Sequence, residues 1–381
     1  MRVLALGGSG GMGRFSSFAI SAFQNISKVT IADLNENNAV EFAKNFDDRF
    51  EGIGLDVSDI DKLEKVMKDH DVVMNTTGPF FKYGVSILKS AIKCKCHYFD
   101  ICDDWEPTIE MLELSDEAFK NDVTAIIGLG ASPGISNLLG LKAINELDTV
   151  SSIITGWDMS SAIPEDESSQ AGTNAAMEHG LQQITGEIKV YKDEKYKMTK
   201  PLEKINIHYP GRGKHNVYVF GHPEAVSFPH HFRDLKESLN VCHGSSERDI
   251  YVLRILRWLV DKKLISSNRG AYFLEWLERK LGAPSEEKQI KGLPAIYGLA
   301  TGIKNEKTAS VAATLSVEDL ISTSGMGEAT GFPLAFGLKL FLENKITQKG
   351  VFAPEGGAIN PDDFFPLIAD HPIEISRSWE I

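Results

Sequence analysis

A parallel, doubly wound α/β sheet followed by a second, mixed α+β domain is the fold class that this 381-residue sequence predicts. Apolar β-branched runs alternate with amphipathic stretches over the first ~130 residues. A glycine-rich turn follows the first of those runs directly, and near Val150 the pattern changes to strand-like runs joined by short turns. The length suits two domains.

In chain order, "RVLALG", "KVTIADL", "FEGIGLDV", "DVVMNTTG", "HYFDI" and "VTAIIGLG" are short apolar, β-branched runs of the kind that form parallel strands. The helical periodicities between them supply the crossovers that parallel strands need. Past Val150, "VSSIITGWDMS", "GEIKVYKDEKYKM", "EKINIHY", "HNVYVFG" and "EAVSF" read as antiparallel strands, with Lys192-Asp193-Glu194 as a hairpin turn. A helical block from Arg248 to Leu281 puts Leu253, Leu256, Leu259 and Val260 on one face, which core packing explains. "TASVAATLSV" returns to strand, "FPLAFGLKLFLENKI" is an apolar helix, and "GVFAPEGG" follows it. With no internal repeat or low-complexity linker, the parts are expected to share an extensive interface.

Forty Lys plus Arg against fifty-three Asp plus Glu give a net charge of -13, which repels nucleic-acid phosphates and anionic membrane surfaces. Neither is an expected partner; a small molecule is. The first strand begins at Arg2, leaving no room for a signal sequence, and no apolar run approaches the ~18 residues that span a bilayer, so a cytoplasmic protein is expected. Four cysteines fit a reducing compartment. Cys94-x-Cys96 lacks a second Cys/His pair at zinc spacing and reads as an incidental pair, and no metal site is expected.

The run "VLALGGSGGMG" contains Gly8-Ser9-Gly10-Gly11-Met12-Gly13, a G-x-G-x-x-G between a strand and a helix. Its glycines permit a tight turn, approach of the backbone to a pyrophosphate, and close helix–strand packing, with the phosphates on the helix N-terminus. Asp33 follows about twenty residues on. A carboxylate there accepts from the adenosine ribose hydroxyls and repels a 2′-phosphate, which favours NAD over NADP. Asp56 ends the third strand, where an adenine contact and a helix cap are both open readings. Asn75, Thr76, Thr77 and Gly78 end the fourth, on the edge expected to face the nicotinamide half.

In order and spacing, "GGSGGMG", "NTTGPFFKYG", "YFDICDD" and "GLGASPGISNLLG" resemble the saccharopine dehydrogenase-like family, which includes saccharopine reductase, lysine 6-dehydrogenase and carboxynorspermidine dehydrogenase. The tail "MGEATGFPLAFGLKLFLENKITQKGVFAPE" is similar to the end of the lysine-dehydrogenase-like members. The resemblance implies a Rossmann domain over 1–148 and an inserted α+β substrate-binding and dimerisation domain over 149–329. The segment 330–381 would return to the first domain. It also implies a homodimer, and hydride transfer between a nicotinamide cofactor and a carbon bonded to nitrogen in an amino acid, opine or polyamine conjugate. NADP-dependent saccharopine reductases tend to place a Ser-Arg pair where this chain has Asp33-Leu34, which again implies NAD. The same fold also hosts C=O reductases and non-catalytic nucleotide-binding scaffolds.

"YFDICDDW" sets Asp100, Asp103 and Asp104 after the fifth strand, where a doubly wound sheet opens its ligand crevice. Clustered carboxylates attract an ammonium or iminium and raise one another's pKa, so the expectation is a cation clamp able to move a proton rather than a metal site. Asp103 and Asp104 also stand where a helix cap belongs. Pro133-Gly134 enters a helix whose free N–H groups suit a substrate carboxylate. Arg212, in "YPGRGKHN", is placed to grip a carboxylate bidentately. His179 and His222 lie in segments similar to the family and are the candidate histidines for proton transfer. Cys102 has no evident paired base.

Overall fold

The computed structural model describes residues 1–161, 180–267, 269–273, 292–316, 319 and 325–379. The chain divides into two compact units, Met1–Leu138 with Thr323–Asp370, and Leu139–Ser322 with His371–Ile381.

In the first unit, strands β1 (Arg2–Leu6), β2 (Lys28–Asp33), β3 (Phe50–Gly54), β4 (Val72–Asn75), β5 (His97–Asp100), β6 (Thr124–Ile126) and β15 (Gly350–Phe352) form one sheet in the order β15-β6-β5-β4-β1-β2-β3. All of its pairings are parallel. The six strands read from the first part of the sequence are all present; five are largely buried, and β3, at the sheet edge, is mostly open. Helices α1 (Gly13–Ser21), α2 (Glu36–Ala43), α3 (Ile60–Met67), α4 (Phe80–Cys94), α5 (Trp105–Leu112) and α6 (Ser115–Lys120) make the crossovers, and α7 (Ile135–Ile144) follows β6. Asn35 caps α2 through the Asn38 amide and Asp59 caps α3 through the Lys62 amide. Strand order reverses beside β1, so the carboxyl ends of β1, β2 and β4 border the crevice typical of such sheets.

The apolar helix read near the end of the sequence is α10 (Met326–Leu342). A methyl group on Gly331 would meet the Met12 carbonyl at 2.6 Å, and one on Gly337 would meet Leu129 at 2.1 Å. These two glycines therefore let α10 lie directly on the start of α1 and on the β5–β6 side of the sheet.

The second unit holds a nine-stranded sheet. Its main path joins β10 (Lys204–Tyr209), β11 (Gly213–Phe220), β12 (Glu237–His243), β7 (Thr149–Asp158), β13 (Ile296–Lys304), β14 (Lys307–Thr314) and β16 (Glu374–Trp379), in that order. The hairpin β8 (Ile188–Lys192) and β9 (Lys195–Thr199) joins through β12. Three expectations change here. "EAVSF" is not a strand but part of helix α8 (Glu224–His231), buried along most of its length. Burial on all sides removes the amphipathic period that announces a helix. The sheet is not purely antiparallel, since β12 runs parallel to β7. Finally, 371–381 does not return to the first unit with the rest of the tail, because β16 pairs with β14. Helix α9 (Glu247–Asp261) opens on a Ser246/Asp249 capping box, and the expected helical continuation to Leu281 extends beyond the described residues.

The expected hairpin turn is there. Asp193 and Glu194 occupy the left-handed region at φ 54° and 61°, the pattern of a two-residue hairpin turn built from residues poorly suited to it. Replacing the pair by Asn-Gly should stabilise the protein by about 0.5–1 kcal/mol in thermal or urea unfolding. A loss of stability would show that the Lys197–Asp193 ion pair outweighs the backbone conformation.

Candidate functional site

At the end of β1 the chain turns sharply. Gly7 has φ +70° and donates to the Ala32 carbonyl at 2.8 Å, and the Gly10 amide donates to the Gly7 carbonyl at 3.0 Å. Ser17 Oγ reaches back from α1 to the Gly8 carbonyl at 2.9 Å. A methyl group on Gly13 would lie 2.1 Å from the Gly7 carbonyl oxygen, so only glycine lets α1 start against the turn. On Gly10 the nearest atom would be 3.2 Å away, which leaves that position open to a ligand. Met12 precedes α1 without a side-chain cap. Among the described residues the amides of Gly11 and Met12 donate to no protein acceptor. Free N–H groups at a helix N-terminus, on glycine backbone that admits close approach, are what a pyrophosphate requires.

Asp33, half-buried at the end of β2, accepts a hydrogen bond from Ser9 Oγ at Oδ2, 2.6 Å away. Among the described residues its Oδ1 accepts none. Leu34 is 76% exposed beside it. Asp56 is exposed, and its Oδ1 accepts from the Ser58 amide and hydroxyl at 2.9 and 2.7 Å, which holds its pKa low. It thus builds the turn into α3, whose cap is Asp59.

At the end of β4 the expected contacts divide. Asn75 is fully buried, accepts from the Thr77 amide at 3.0 Å and donates to the Tyr98 hydroxyl at 2.9 Å. Thr76 Oγ1 donates toward the carbonyls of Leu6 and Gly7 at 2.9 and 3.1 Å. Both side chains are engaged by the framework at this strand end. Thr77 and Gly78 keep exposure, with Gly78-Pro79 a cis peptide.

The three carboxylates of "YFDICDD" do not form one clamp. Asp100 is fully buried, its Oδ1 accepting from the Cys102 and Gly128 amides at 3.0 and 2.7 Å. Its Oδ2 has no hydrogen bond, with the Tyr98 hydroxyl close by but not in bonding geometry. Burial pushes its pKa up to about 6 against the lowering effect of the two amides. Asp104 is buried at the N-cap position of α5, yet its side chain accepts from Phe81 at the start of α4, 3.1 Å away. Asp103 alone of the three retains partial exposure. A strand end packed beneath a helix encloses alternate residues, which adjacency in sequence does not reveal.

Pro133 and Gly134 also differ from expectation. Gly134, at φ +124°, bridges to Gly130, and the amides of Gly134, Ile135 and Ser136 donate to Asn137 Oδ1 and to the carbonyls of Gly130 and Ala131. The turn consumes the N–H groups that a substrate carboxylate needs. In the second unit, Arg212 donates to the carbonyl of Gly292, ahead of β13, at 2.5 Å. His222 is 6% exposed, stacked on Trp157 with ring centroids 5.4 Å apart. Packing rather than solvent access governs it. His179 lies outside the described residues.

Residues 3–126 match the family model described as the saccharopine dehydrogenase NADP-binding domain. Over 119 residues the chain is 32% identical to saccharopine dehydrogenase [NADP(+), L-glutamate-forming] of Saccharomyces cerevisiae, covering 31% of this chain and 25% of that protein. Over these residues the chain is similar to the saccharopine dehydrogenase-like family. It spans a quarter or less of the length of the curated relatives it matches. The fold extends further than the sequence match. The apo form of the Saccharomyces cerevisiae enzyme superposes with a TM-score of 0.62 at 19% identity, covering 100% of both chains. The homospermidine synthase of Legionella pneumophila, solved with NAD, gives 0.57 at 12% identity, covering 99% of this chain and 91% of that one.

Two partnerships in this chain escaped sequence reasoning. Tyr98, adjacent to Asp100 in space, meets Asn75 across the β4–β5 pair. Asn137 Nδ2 donates to Glu355 Oε2 at 2.7 Å, both buried. The quoted runs "GASPGISN" and "APEGG" held both members of the second pair, but a separation of 218 residues leaves no local signal that they meet.

Proposed function

We propose that the protein is an NAD-linked oxidoreductase that transfers hydride at a C–N bond of an amino acid, opine or polyamine conjugate. The observation that carries this reading is the juxtaposition of a glycine turn with two free helix-start amides and an aspartate with one open carboxylate oxygen. The Gly11 and Met12 amides would hold the pyrophosphate, Gly8 and Gly10 would let it approach, and Asp33 would hold the adenosine ribose. When bound, a nicotinamide supplies or accepts the hydride. Asp33 with exposed Glu36 and Asp56 makes the ribose side acidic, and Leu34 offers no cation to a 2′-phosphate. That chemistry supports NAD, although the matching domain is named for NADP. The names saccharopine dehydrogenase and homospermidine synthase both concern nitrogen-bearing molecules, which supports C–N over C=O chemistry. Asp103, the partly exposed carboxylate after β5, is the residue of its cluster best placed to attract an amine cation.

NADH absorbance, followed with a panel of amino acids and polyamines with and without keto acids, tests the reading. Oxidation of NADH that needs amine and keto acid together is the expected result. Consumption with keto acids alone would replace it by C=O reduction, and binding without turnover by a scaffold role.

A further inference from the structure

Resting on the reading of Asp33 as the ribose acceptor, we infer that Ser9 is a specificity-determining positioning residue whose hydroxyl fixes the Asp33 carboxylate for NAD and against NADP. Ser9 stands between the first two glycines of the G-x-G-x-x-G turn, and its role is independent of the glycine backbone itself. Its Oγ–H donates to Asp33 Oδ2 at 2.6 Å, a short bond of the kind an ionised acceptor makes. The two residues are 24 positions apart and come from different strand–helix units, so only the fold joins them.

Two consequences follow from the geometry. An aspartate at the end of a strand, beside a 76%-exposed neighbour, has rotamers that swing its carboxylate toward water. Tethering Oδ2 removes them and leaves Oδ1, which accepts no hydrogen bond among the described residues, as the atom presented to a ribose hydroxyl. The tether costs NAD nothing, because a carboxylate has lone pairs for the serine and the ribose together. A 2′-phosphate, in contrast, would meet a negative charge that cannot turn away. Ser9 thus makes the discrimination between the two cofactors stiffer than Asp33 alone would.

Fluorescence titration of the purified full chain with NADH and with NADPH reads this directly, without any substrate. Ser9→Ala should weaken NADH binding about fivefold to tenfold, as loss of one charge-assisted hydrogen bond does, while NADPH binding stays level or tightens. Ser9→Thr, which keeps the hydroxyl, should restore most of the preference. In an Asp33→Asn background Ser9→Ala should no longer shift the ratio, since there is no charge left to aim. If Asp33→Asn narrows the preference and Ser9→Ala does not, the inference about Ser9 fails and the Asp33 reading stands. If Asp33→Asn leaves the preference unchanged, the Asp33 reading fails first. An equal loss for NADH and NADPH in Ser9→Ala, unrelieved in Ser9→Thr, would reduce Ser9 to a structural part of the turn and overturn the proposal.

Discussion

Gly13→Ala should abolish NADH binding and destabilise the protein by about 3 kcal/mol or more, whereas Gly10→Ala should fold normally and lose binding alone. Both glycines belong to the same motif, and the sequence treats them alike. The structure separates them. A methyl group on Gly13 would sit 2.1 Å from the Gly7 carbonyl oxygen and 2.5 Å from Thr76 Oγ1. The first of these is backbone, and the second is itself bound to the Leu6 and Gly7 carbonyls, so no flexible atom can yield. Helix α1 would have to move off the turn, and α10, which lies on the start of α1 through Gly331, would have to follow. On Gly10 the nearest protein atom is 3.2 Å away, a contact that a shift of a few tenths of an ångström relieves. Its methyl group would instead obstruct the face that a pyrophosphate approaches. Circular dichroism melts with NADH titration distinguish the two variants. A Gly13→Ala protein as stable as the parent would contradict the close approach of α1 to the turn.

Legibility of the fold followed local chemistry. Most strands of the first unit announce themselves as short, nearly continuous apolar runs, and the glycine turn with Asp33 is a signal carried by spacing. The second unit was less legible. Helix α8 is buried along most of its length and carries Pro229, so "EAVSF" shows neither amphipathic period nor a favourable helix composition. The parallel pairing of β12 with β7 brings together residues more than eighty positions apart, for which hairpin reasoning has no rule. Within the site, sequence placed Asp100, Asp103 and Asp104 in the right region but could not say which side chain is enclosed. That depends on Gly128 and Phe81 amides contributed by other segments. Pro133-Gly134 likewise looked like an open helix start until the Gly130 bridge consumed its donors.

Asp100→Asn should match the parent protein in stability near pH 4 and exceed it at pH 7, by on the order of 2–3 kcal/mol. Burial is the first cause, raising the Asp100 pKa to about 6 from an ordinary value near 3.8. The sign follows from proton counting. Below pH ~4 the carboxyl is protonated in both folded and unfolded chains; between ~4 and ~6 the unfolded chain ionises first, so the group's contribution to stability is lost as pH rises through the folded pKa. The neutral amide has no such step. Its oxygen can still accept from the Cys102 and Gly128 amides, and its nitrogen takes the place of Oδ2, which has no hydrogen bond to lose. Asp100→Ala, by comparison, strands both amides in the interior and should cost about 2–4 kcal/mol near pH 4, and less at pH 7, since it too lacks the ionisation step. Urea unfolding of the three proteins at pH 4, 5, 6 and 7 measures all of this. Parallel stability–pH curves for the parent and Asp100→Asn would mean that Asp100 titrates alike folded and unfolded. The enclosed carboxyl would then be well solvated, and the proton-transfer role that its burial argues against would be open to it again.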